Sequence, residues 1–128
     1  MKIKIFRALF LASALAIAAI QNTAAEESPI DHQIQTSGVF RTPLEIVGTA
    51  SAAGESKALL AALGQFKGNI KSGLAASEAF LKSYPDSPWA PSLRVNLAEY
   101  YRANGQYSLA LDHHSEAIEK HQSHLTRY

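Results

Sequence analysis

Two stretches of punctuation decide what the second half of this chain can become. Tyr84-Pro85-Asp86-Ser87-Pro88 and Asn104-Gly105 both stop a helix. The residue before a proline is pushed out of the α region, and a glycine after the last helical turn takes the left-handed conformation that ends it. Between these stops, apolar residues recur at helical spacing. Leu59, Leu60, Leu63 and Phe66 form a first stripe, interrupted by Gly68-Asn69, and Ile70, Leu74, Leu81 and Tyr84 form a second. Leu93, Leu97, Tyr100 and Tyr101 form a third, on a helix that Ser87 is placed to cap and that Pro88 and Pro91 suit in its first turn. The fourth stripe is Tyr107, Ala110, Leu111, His114, Ala117, Ile118, His121 and Leu125. Opposite it stand Asp112, Glu116, Glu119 and Lys120, with Glu116 and Lys120 spaced to pair. Helices joined by such short loops pack as antiparallel neighbours. The spacing therefore predicts an all-α domain of about four helices over residues 55–128.

Residues 26–54 read differently. Gly38, Gly48, Gly54, Pro29 and Pro43 are scattered through them, and the apolar pieces Val39-Phe40 and Leu44–Val47 lack a helical period. This pattern predicts a flexible, mostly extended lead-in. Leu44–Val47 is the one piece suited to dock as a strand-like segment.

The first 25 residues form a third region. Lys2, Lys4 and Arg7 precede a thirteen-residue apolar run, Ala8 to Ile20, and small polar residues follow as far as Ala25. This is the build of a secretory signal peptide, with Thr23 and Ala25 at the positions a signal peptidase reads. The run is shorter than the roughly 20 residues that span a bilayer, so stable membrane insertion after cleavage is not expected. Cleavage after Ala25 leaves 103 of the 128 residues, with nine Lys and Arg against eleven Asp and Glu. That net of −2 gives nucleic-acid binding no electrostatic support. The expected location is exported, periplasmic or secreted. The chain has no cysteine, which removes disulfides, thiol catalysis and thiolate metal sites together.

The residues from Pro91 to Gln122 resemble one tetratricopeptide repeat. Leu97-Ala98, Tyr101, Gly105, Tyr107, Ala110 and Ala117 stand at the offsets of its signature. Arg94, His114 and Gln122 depart from it, standing where a bulky apolar residue, an aromatic and a proline are usual. The run Phe80–Pro88 followed by Ala90 is similar to the repeat junction of exported bacterial tetratricopeptide proteins that assist envelope assembly. The run Ser87–Arg94 with Asn96-Leu97 and Tyr107-Ser108 is similar to the start of large secreted proteins in which such repeats precede a peptidase domain and tyrosine–aspartate repeats. The resemblance implies paired antiparallel helices that bind a protein or peptide. It places Ser92, Val95, Asn96, Glu99 and Arg102 on the concave, partner-facing side. Val95 stands where a basic carboxylate-clamp residue is expected.

Catalytic candidates are weak. The chain has no Gly-x-Ser-x-Gly elbow and no glycine-rich phosphate loop after a strand. His113, His114, His121 and His124 share one helix, but zinc takes three or four well-placed ligands. The four histidines are read as half-buried packing residues (His114, His121) and solvated ones (His113, His124), with no metal or cofactor. The leading expectation is an exported interaction or scaffold module without catalytic activity, able to self-associate through the open edge of the last helix. Two alternatives stand beside it: an N-terminal fragment of a larger secreted enzyme or toxin-like protein, and a small His-rich metal-binding protein.

Overall fold

The computed structural model describes residues 28–125, with side chains as far as Gln122. The expected signal peptide and its cleavage site lie outside the described residues, as do the side chains of His124 and Leu125. The fold is all-α: α1 (Pro29–Gln35), α2 (Ala53–Gly64), α3 (Ile70–Ser83), α4 (Ala90–Ala103) and α5 (Tyr107–Leu125), with a 3-10 turn over Gln65–Lys67. The described residues contain no strand.

Over Pro29–Gln35 the lead-in is helical rather than extended, which corrects that part of the expectation for residues 26–54, while residues 36–52 carry no helix or strand. Pro29 opens α1, where its missing N–H is no loss. Ile34 of α1 and Leu44 beyond it are almost wholly buried. Asp31 is buried too, and Ser56 Oγ of α2 donates to its Oδ1 at 2.6 Å. Ser56 Oγ in turn accepts the indole N–H of Trp89 at 3.2 Å. This Trp89–Ser56–Asp31 relay ties α1, α2 and the start of α4 together. The expectation failed because a seven-residue helix displays only two inward apolar positions, Ile30 and Ile34, too few to register as a period.

Asn69 caps α3, its Oδ1 accepting the backbone N–H of Ser72 at 2.7 Å. The fully buried residues of α3 are Gly73, Ser77, Phe80 and Leu81; of the row read from sequence, Leu81 is buried and Leu74 and Tyr84 pack half-buried against the core, but Ile70 is 54% exposed. Gly73 lets the Phe66 ring lie directly over the helix. The helix after the proline turn begins at Ala90 rather than at Pro88, and Ser87 Oγ accepts the N–H of Trp89 at 3.3 Å within the turn.

The third stripe is buried as expected at Leu93, Leu97 and Tyr101, with Tyr100 half-buried. Gly105 closes α4 with φ +76°. Gly105 N–H donates to Arg102 O and Gln106 N–H to Tyr101 O at 2.8 Å, the paired bonds of a Schellman motif. α4 packs against α5 more extensively than any other two helices meet.

The rotation of α5 departs from expectation. Its inward row is Ala110, His113 and Ala117, while Tyr107, Leu111 and Ile118 are 69%, 66% and 58% exposed. Thus Leu97, Ala98, Tyr101, Ala110 and Ala117 of the repeat signature are packed inside, and Tyr107 is not. Glu116 does not pair with Lys120. It binds Arg94 Nη1 at 2.6 Å, while Lys120 binds Asp86. A distant partner, Arg94 on α4 for Glu116 and Asp86 in the turn before α4 for Lys120, replaces the one four residues away in both cases.

Candidate functional site

An open groove of about 650 Å³ runs between α5 and the extended stretch 42–47, floored by α4. Its lower wall is built from period two. Leu44 points into the core while Pro43 and Glu45 stay exposed. Glu45 N–H donates to Ser92 Oγ at 2.8 Å, and Val47 N–H donates to the Pro88 carbonyl at 2.9 Å. Alternate amides of this stretch are thus held by Ser92 in the first turn of α4 and by Pro88 in the turn just before it. Its upper wall is the His114, Ile118 and His121 side of α5.

The expected concave-face residues divide into two groups. Ser92, Val95 and Asn96 line the groove. Val95 is 41% exposed on its floor, and Asn96 Nδ2 donates back to Ser92 O at 3.0 Å. Glu99 and Arg102 do not line it. They are exposed and bind each other at 2.9 Å. The Arg102 guanidinium holds the Glu99 carboxyl below its ordinary range, first by hydrogen bonding and then by charge. Each therefore already has a partner on its own helix.

The histidines also redistribute. His113, read as solvated, is buried at 7% exposure, and its Nε2 lies 2.7 Å from Glu78 Oε1 of α3. Tyr101 OH donates to the same carboxylate oxygen at 2.9 Å, and the Tyr101 and His113 rings stack 5.6 Å apart. The His113 hydrogen bond is the main cause that draws Glu78 below its ordinary range, against desolvation that raises it. Burial, reinforced by Glu78, raises the Tyr101 phenol. His114 and His121 face the groove instead. Among the described residues no three His, Asp or Glu side chains converge as metal ligands.

No family model, curated protein or solved structure matches this chain. The groove must therefore be read from its own geometry. A second hollow of about 660 Å³, lined by Val39, Leu60, Leu63, Phe66 and Ile70 among others, contains none of the expected site residues.

Sequence reasoning did not foresee Pro43, Glu45 and Val47 as a groove wall. The Leu44-in, Glu45-out alternation was the available signal. It also missed the interior cluster, because Glu78 and His113 are 35 residues apart.

The Glu78 cluster predicts an acid dependence of stability. Its carboxyl has a folded value below 4.5, so folding favours the charged form. That contribution is complete above the unfolded carboxylate range and is lost as pH falls through the lower folded value. Glu78→Gln is expected to lower the melting temperature at neutral pH and to flatten its fall as the pH drops through and below the ordinary carboxylate range. Parallel acid melting curves for the two proteins would remove this assignment.

Proposed function

We propose that this chain is an exported protein-interaction or scaffold module of the tetratricopeptide kind, without catalytic activity, whose α4–α5 groove receives a partner protein. One observation carries the reading: Ser92, on the face of α4 expected to hold a partner, already binds an extended peptide, the chain's own residues 43–47, which the Pro88 carbonyl holds from the turn before the helix. Apolar Val95, Ala117 and Ile118, placed beside that segment with polar Asn96, His114 and Gln122, leave room for a further element. Shape and an apolar floor would supply affinity there, and the polar rim would supply orientation.

Export is supported by the basic start, apolar run and small-residue exit of residues 1–25. The chain recovered from an exporting host is expected to begin at Glu26 by intact mass. Immobilised in that form, it should retain envelope proteins that Val95→Glu does not, with the variant's helical circular dichroism unchanged. Equal retention by both proteins would remove the groove as the binding surface.

A further inference from the structure

We propose that the element received by this groove is α5 of a second copy of the chain, laid antiparallel, so that each copy seats in the other's groove. The inference rests on the binding reading above and names its partner.

The exposed row of α5 is spaced for a helix. Tyr107, Leu111, His114 and Ile118 alternate steps of four and three residues, the repeat of a seam between paired helices. His114 and Ile118 line the groove, and Leu111 and Tyr107 continue the row. Among the described residues six large apolar side chains are exposed, and Val95, Tyr107, Leu111 and Ile118 are four of them. Concentrating them on one face marks a surface that is covered in use.

The area fits a second copy. α5 has 19 residues and so is about 28 Å long and about 11 Å wide. Covering about a third of that cylinder removes on the order of 300 Å². The facing surface of α4 and residues 42–47 removes about as much again. Each copy then buries roughly 600–700 Å², at the lower end of specific interfaces, where about 600–1,000 Å² per partner is usual.

The charges also fit. Glu116 is turned toward Arg94, and Asp112 and Glu119 lie away from the row. Nothing on the seam therefore sets like charges of two identical chains against each other. Glu45 is the only acid among the residues that line the groove. In the antiparallel arrangement the N-terminal half of the incoming α5 arrives beside this wall. The first turn of α5 contains no acid, and a helix N-terminus carries partial positive charge. A parallel copy would bring the negative end instead. The contact closes on itself about a twofold axis and leaves no open face for a chain of copies.

The test is sedimentation equilibrium of the processed chain between about 1 and 100 µM, which brackets the micromolar affinity an interface of this size supports. The expected result is a reversible dimer. Ile118→Glu enters the interface twice and is expected to weaken it about 30-fold or more, with helicity and melting of the monomer unchanged because Ile118 is 58% exposed. If that variant does not fold, Leu111→Glu, at 66% exposure, gives the same reading. A monomer at every concentration, or a folded variant as dimeric as the parent, overturns the inference. A monomer that still retains envelope proteins through Val95 overturns it and leaves the binding reading standing.

Discussion

Replacing Trp89 with alanine is expected to lower the melting temperature by roughly 15–35 °C, corresponding to about 3–5 kcal/mol in a domain of this size. Trp89 is the only tryptophan of the chain and has no exposed surface. It sits where the turn after α3 delivers the chain into α4, within the single cluster formed by Ile34, Leu59, Leu63, Phe80, Leu93 and their neighbours. Removing the indole opens a cavity that three separate elements border, and the cost of such a cavity rises with the volume that cannot collapse. It also removes the N–H that Ser56 accepts, which holds the Ser56–Asp31 pair in line. Total stabilities of about 5–15 kcal/mol leave little after such a loss. Trp89→Phe separates the two effects: it keeps most of the apolar bulk and loses the N–H, so a smaller loss of about 1–2 kcal/mol is expected. Thermal melting followed by far-ultraviolet circular dichroism measures both. A Trp89→Ala protein that melts within a few degrees of the parent would show that the indole is not a core element.

The helix stops are legible in the sequence because they are local. Asn104-Gly105 ends α4 through the left-handed backbone of Gly105 and two bonds to the preceding turn, none of which needs a distant residue. Asn69 capping α3 is of the same kind. What was not legible depended on choosing between two periodic rows. In α5, Ala110 and Ala117 form one row, and Tyr107, Leu111 and Ile118 form another about a quarter-turn away. Apolar bulk favours the second row as core. Packing against α4, where Ala110 joins Tyr101 in the core and His113 stacks on the Tyr101 ring, selects the first. His113 joins the inner row with Glu78, on a different helix, meeting its Nε2, while its Nδ1 is buried without a partner. A buried polar group of that kind is invisible until its partner is known.

The site followed the same division. Ser92, Val95 and Asn96 were placed on a partner-facing side by the tetratricopeptide resemblance, and they line the groove. Glu99 and Arg102 share that face by spacing, yet they pair three residues apart and stand outside the groove. The wall at Pro43–Val47 was the hard part. Its contacts with Ser92 and Pro88 span more than forty residues, and an extended segment of five residues offers only two inward positions to mark it.

Gly73→Ala is expected to destabilise the protein by about 1–3 kcal/mol, the range for forcing an extra methyl into a packed site. Helix propensity alone gives the opposite sign. Gly73 lies in the interior of α3, where alanine is ordinarily better by about 1 kcal/mol. The obstacle is Phe66. A Cβ on residue 73 would lie 2.2 Å from its Cγ. Cγ is bound directly to the Cβ of Phe66, so rotation of the ring cannot carry it away, and the ring is held edge-on against Phe40 at 5.5 Å. Either the 3-10 turn over Gln65–Lys67 or α3 must move. The double variant Gly73→Ala with Phe66→Ala separates clash from propensity. Alanine at 66 has no Cγ and frees the space, and a favourable coupling of about 0.5–3 kcal/mol is expected between the two changes. Trp89 is buried in the parent and remains in these variants, so its fluorescence on denaturation reports all of them on one scale. A Gly73→Ala protein more stable than its parent would show that Phe66 does not lie over α3, and the inward face of Gly73, Ser77, Phe80 and Leu81 would have to be redrawn.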